Sequence, residues 1–121
     1  MADLTAITAW TFTEEVPVPD DIAELLIEGE VAEVAYKTIR DVAVVTNKRF
    51  IIADKQGLSG KKVEIYTIPF SSIIMYSSEN AGKIDLNAEI ELWTKAGKLK
   101  LNLNKKVDIR KLDKIIANAI L

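Results

Sequence analysis

Three apolar runs crowded into residues 40–69 constrain this chain more than any other feature. They read Val42-Ala43-Val44-Val45, Phe50-Ile51-Ile52-Ala53 and Val63-Glu64-Ile65-Tyr66-Thr67-Ile68. Branched and aromatic residues of this kind fit a pleated sheet. Thr46-Asn47-Lys48-Arg49 separates the first two runs, a length that suits a hairpin. A glycine-bearing loop over residues 56–61 separates the second from the third. The stretch is therefore the middle of a small antiparallel β domain. Its first two strands, over residues 41–46 and 49–54, do not alternate between apolar and polar. An antiparallel sheet with one wet face alternates, so these strands need cover on both faces. The N-terminal arm or another subunit is expected to supply it.

A chain of 121 residues has room for one domain. It buries roughly two-thirds of its unfolded surface, enough for one core. The sequence contains no cysteine and no histidine. Disulfides, thiolate metal sites and a thiol nucleophile are excluded, and so are imidazole bases and ligands. No apolar run approaches the ~20 residues of a membrane-spanning helix. Asp3 stands where a signal peptide carries a cation, and a cytoplasmic protein is expected.

Charge is unevenly distributed. Residues 1–36 hold nine acids and no base, whereas residues 37–121 hold sixteen bases and nine acids, a net of +7. An acidic leader either meets water or packs across basic surface, its own or a neighbour's.

Along the chain, Trp10 and Phe12 sit two apart in a leader that fits an extended arm or a helix over residues 4–10. Pro17 and Pro19 break it. Pro19-Asp20-Asp21 opens a short helix with Ile22, Leu25 and Leu26 on one face and Gly29 as its end. Ala32, Val34 and Tyr36 share one face of a first strand. After the three runs come a fourth strand over 62–68, a turn at 70–72, a fifth over 73–78 and a polar loop over 79–87. Strands over 88–94 and 98–104 alternate cleanly about a turn at Gly97, with Glu89, Glu91 and Trp93 outward on one and Lys98 and Lys100 outward on the other. Asp108 then caps a helix whose stripe is Ile109, Leu112, Ile115, Ile116, Ala119 and Ile120. That face must close one end of the sheets.

Seven short antiparallel strands and a final amphipathic helix follow the order of the pleckstrin-homology superfold. The segments L-L-I-E-G-E (25–30), A-Y-K-T-I-R-D (35–41), T-N-K-R (46–49), D-K-Q-G-L-S-G-K-K-V-E (54–64), I-P-F-S-S-I (68–73) and A-G-K-I-D-L-N-A-E-I (81–90) resemble the bacterial pleckstrin-homology family. The resemblance divides the chain into an N-terminal arm, 1–19, and a pleckstrin-homology-like domain, 20–121. It implies a β barrel of two near-orthogonal sheets, seven strands in all, with the C-terminal α-helix plugging one end. It also implies a homo-oligomer, often a ring. It carries no catalytic residue over.

An enzyme is not expected. Asp85 and Glu89, four apart, read as solvated acids in a loop-to-strand setting rather than an acid/base pair. Gly57-Leu58-Ser59-Gly60-Lys61-Lys62 lacks the spacing and the following helix of a phosphate loop. No catalytic, metal or cofactor site is expected. Anionic headgroups would have Lys37, Arg40, Lys61 and Lys62; at about 1 kcal/mol per cation this is weak anchorage. A net acidic chain whose aromatics are not interleaved with bases does not read as nucleic-acid-binding. The reading is a non-enzymatic module that associates with itself, with Trp10, Phe12, Val42, Val44, Phe50, Ile52 and Trp93 as the candidate interface. The alternative is an adaptor that takes a peptide or protein at a sheet edge.

Overall fold

The structure, a computed structural model, describes residues 8–56, 62–80 and 87–121. Among these described residues eight strands, two α-helices and a short 3-10 turn follow one another. The strands are β1 (Thr8–Val16), β2 (Ala32–Thr38), β3 (Val42–Thr46), β4 (Arg49–Gln56), β5 (Lys62–Pro69), β6 (Ile73–Asn80), β7 (Ala88–Thr94) and β8 (Gly97–Leu103). Helix α1 (Asp20–Ala23) lies between β1 and β2, the 3-10 turn (Phe70–Ser72) joins β5 to β6, and α2 (Ile109–Ile120) ends the chain.

The strands form one sheet in the order β5-β4-β3-β2-β1-β8-β7-β6. This corrects the expectation of seven strands in two sheets. The eighth strand comes from the arm. β1 runs antiparallel to β2 and parallel to β8, so it stitches two halves into a continuous ladder. The sequence of the arm left strand and helix open; backbone partners on both sides decide for strand. The terminal strands β5 and β6 are not hydrogen-bonded to each other, so the barrel is not closed.

One face of the sheet holds the main core. Phe12, Val34, Tyr36, Phe50, Ile52, Ile90, Leu92, Leu101 and Leu103 meet there under Leu112 and Ile116 of α2. Helix α2 starts as expected, with Asp108 accepting a hydrogen bond from the Lys111 amide at 3.1 Å. The clean alternation of β7 and β8 holds too. Ile90, Leu92, Leu101 and Leu103 are buried. Lys98 pairs with Glu91 at 2.9 Å and Lys100 with Glu89 at 3.2 Å on the opposite face.

The other face carries a second cluster. Ala35, Val42, Val44, Ile51 and Ala53 lie under Ile22, with Val16, Val18 and Leu26 packed alongside. The second cover of β3 and β4 is thus residues 16–30, a strap that carries α1 and takes only its first residues from the N-terminal arm expected to supply it. This helix is shorter than the apolar spacing suggests. The chain turns after Ala23, and Gly29 takes φ of +81°, a conformation that costs a side-chain-bearing residue strain.

The strap is fastened at its far end. Arg49 donates to Glu30 through Nε at 2.8 Å and Nη2 at 3.0 Å, and through Nη2 to the Leu25 carbonyl at 3.0 Å. The Thr46 hydroxyl donates to the same carboxylate at 2.6 Å. The Arg49 guanidinium holds the Glu30 carboxyl down to about 2, against burial, which acts to raise it. A buried charge demands this degree of pairing.

Candidate functional site

The structure withdraws most of the expected interface from solvent. Phe12 is fully buried and stacks on Tyr36 at 5.1 Å; burial raises the phenol pKa of Tyr36. Phe50 is fully buried and meets Phe70 edge-on at 5.1 Å, and Ile52 is beside it in the core. Val42 and Val44 lie under the strap. Non-alternation in β3 and β4 therefore reflects two internal layers. Trp93 is part-covered by its own neighbour, with the Lys98 ammonium 4.9 Å from its ring centre.

Lys37 and Lys62 are exposed, and Lys61 lies outside the described residues. Arg40 is engaged, with Nε 2.8 Å from Asp54 and Nη2 donating to the Lys55 carbonyl at 3.1 Å. Asp85 and the Gly57–Lys61 part of the glycine loop also lie outside the described residues. Among the described residues, no group of acids has the arrangement of a metal site.

What the structure leaves open is the sheet's two ends. β5 pairs with β4 at all eight positions, from Arg49 opposite Pro69 to Gln56 opposite Lys62, without a bulge. Among the described residues no strand lies on its other side, so alternate backbone groups are left for an added one. Val63, Ile65 and Tyr66 remain exposed along it. Ile65 lies opposite Ala53 and shares the strap-side face, while Tyr66 lies opposite Ile52 and shares the core-side face. On the core side a groove of about 280 Å³ runs beside Tyr66, lined by Trp10, Ile68, Thr94, Lys98 and Leu99. Trp10, half-buried, meets Tyr66 edge-on at 5.7 Å. It is the one expected interface aromatic that borders the open edge.

At the far end β6 pairs with β7 but slips register between Ile73 and Met75. Ile74 is 70% exposed and Met75 54%. Val63, Ile65, Tyr66, Ile74 and Met75 are not among the expected interface residues, because each sits in an ordinary strand pattern. Nothing local marks which strands will end a sheet.

The family described as Bacterial PH domain matches residues 3–120. The chain belongs to the bacterial PH-domain family. The match begins within the N-terminal arm. The uncharacterised protein YjqA of Bacillus subtilis (strain 168) is 45% identical over 82 residues, which are 68% of this chain. They are 66% of YjqA, so the match spans just under two-thirds of that relative's length. A DUF1696-family protein with a pleckstrin-homology domain from Shewanella loihica PV-4 superposes with a TM-score of 0.78 at 38% identity, covering 89% of this chain and 97% of the other. A pleckstrin-homology domain from Shewanella amazonensis SB2B does so with a TM-score of 0.65 at 37% identity, covering 84% and 83%. This bacterial PH domain is thus mainly β with one C-terminal helix, in a PH-like fold.

Proposed function

We propose that this bacterial PH domain is a non-enzymatic interaction module that assembles with copies of itself. The observation that carries the reading is β5, a full-length unbulged edge strand bearing Val63, Ile65 and Tyr66 in water. Isolated proteins defend such edges with charges, prolines or bulges. Here Pro69 stands only at the strand's end, and Lys62 and Glu64 alternate with Val63 and Ile65, which leaves the face of Val63, Ile65 and Thr67 uncharged. The absence of histidine and cysteine from the sequence supports a non-catalytic role. No described helix is long and apolar enough to cross a membrane, which fits action in the cytoplasm.

Multi-angle light scattering on the purified chain tests this. An assembly is expected at micromolar concentration, and a monomer there ends the reading. Deleting residues 1–19 does not test it cleanly. That truncation removes β1 and with it the ladders to β2 and β8.

The groove beside β5 favours one second reading, a peptide partner that adds a strand to the same edge and sinks a side chain between Trp10 and Leu99. A stoichiometric foreign partner, with the purified chain monomeric, supports it over self-assembly. Headgroup binding is weaker still, because Asp54 already engages Arg40.

A further inference from the structure

We infer that the cleft beside Trp10 is a binding site for a small uncharged apolar molecule, of two-ring aromatic or medium-chain aliphatic size. The cleft lies within one chain, so the inference goes beyond self-assembly and does not depend on it.

The sheet itself makes this space. Among the described residues β5 and β6 are not hydrogen-bonded to each other, and the 3-10 turn Phe70–Ser72 is their only connection along the chain. The ladder is therefore open along one seam. Tyr66 and Ile68 stand on the β5 side of it and Leu99 on the β8 side. Trp10 of β1 meets Tyr66 edge-on at 5.7 Å and so connects the two sides. Trp10, Ile68 and Leu99 pack against the main core and also border the cleft, which holds about 280 Å³. A core packed to the usual density leaves no such space. At that density, ~0.75, the cleft fits about 200 Å³ of ligand, roughly a dozen non-hydrogen atoms.

The polar groups on the walls fix the chemical class, because the fold already uses them. The Thr94 hydroxyl donates to the Gly97 carbonyl at 2.8 Å and accepts the amides of Ala96 and Gly97, each at 3.1 Å. The Ser72 hydroxyl donates to the Pro69 carbonyl at 2.7 Å. Thr67 accepts from Arg49 at 3.2 Å. The Tyr66 phenol donates to the Glu64 carboxylate. Lys98 also lines the cleft, but its ammonium turns to Glu91 and Trp93 on the outer face. A charged ligand entering here would give up its hydration without a matching partner. An uncharged apolar ligand gives up little and gains contact with Trp10, Tyr66, Ile68 and Leu99.

N-phenyl-1-naphthylamine tests the site. It is uncharged, it is of two-ring size, and it fluoresces brightly only out of water. Titrated into the wild-type chain, it is expected to bind with a Kd of about 1–100 μM. In Trp93→Phe, where Trp10 is the sole tryptophan, the probe is expected to quench the remaining emission. Tyr66→Ala removes one wall and is expected to weaken binding about tenfold. Ala96→Trp fills the cleft from an exposed turn and is expected to abolish binding. Both variants are checked for the wild-type thermal midpoint; if Tyr66→Ala unfolds, Ala96→Trp decides. 1-Decanol is expected to displace the probe at lower concentration than decanoate does.

Undiminished binding to Ala96→Trp places the probe elsewhere and overturns the inference. Absence of binding in the stated range, or an unquenched Trp10, also overturns it. Stronger displacement by decanoate shows an anion site and overturns the uncharged class. A wild-type chain that binds the probe but is monomeric by light scattering removes the self-assembly reading and leaves this one standing.

Discussion

β4 and β5 lie side by side, matched residue for residue over eight positions, and differ almost completely in their surroundings. Phe50, Ile51, Ile52 and Ala53 of β4 are lost to solvent, whereas Val63, Ile65 and Tyr66 of β5 stay exposed. Both runs are rich in the residues that sheets prefer. The difference is position. β4 has a strand on either side, the main core on one face and the strap on the other. Among the described residues β5 has one neighbouring strand, and the strap's cluster stops at β4. An apolar β pattern therefore says that a segment is a strand; the place in the sheet says whether it is buried.

The sharpest way to break this comparison is truncation on each strand. Phe50→Ala is expected to lower unfolding free energy by about 3–5 kcal/mol in urea titrations, as removal of a fully buried aromatic does. Ile65→Ala, measured dilute enough to exclude association, is expected to cost less than about 1 kcal/mol. Equal costs for the two would refute the contrast.

The strap that distinguishes β4 from β5 offers the next tests. Arg49→Ala leaves the buried Glu30 carboxylate without its cation and is expected to cost about 3 kcal/mol. Ile22→Ala, which empties the centre of the strap-side cluster, is expected to cost about 2 kcal/mol by the same titration. A negligible cost at Ile22 shows that the strap rides on the sheet without protecting it.

Acid sharpens the same point. Glu30 titrates at about 2 in the folded chain, below its ordinary 4.5. A depressed acid stabilises the fold fully above its ordinary value, and that stability drains away as pH falls toward 2. The thermal midpoint of the wild type should drop through this window. Glu30→Gln should start lower at neutral pH and lose the part of the slope that Glu30 supplies. Parallel wild-type and variant curves from pH 5 to 2 show that the latch does not matter.

The smallest effect belongs to the outer face of β7 and β8. Lys98→Ala removes a cation from above Trp93 and from beside Glu91, whose carboxyl it holds below the usual range. Such exposed contacts contribute less than about 1 kcal/mol, readable as a shift of a few degrees at most in the thermal midpoint.

Much of this architecture was legible in the residues. Period-two patterning placed β2, β7 and β8, the dense runs placed β3 and β4, and the stripe from Ile109 to Ile120 placed α2. The family resemblance rested on motifs at the hairpin and its flanks. The arm was less legible, because Trp10 and Phe12 two apart fit a strand or the edge of a helix. Glu30 and Arg49 were visible only as two charges nineteen positions apart. Their pairing depends on a strap that folds back over the sheet, and no local pattern encodes that return.

The sequence by itself determined which segments are strands and which is the closing helix, because side-chain periodicity and turn residues act within a few positions. It also determined that imidazole and thiol chemistry are absent. Tertiary structure alone decided that β1 joins the halves into one sheet, that the strap covers β3 and β4, and that β5 and β6 are the ends. Those outcomes turn on hydrogen bonds between strands far apart in the chain, and a strand's own residues do not specify how many neighbours it will find.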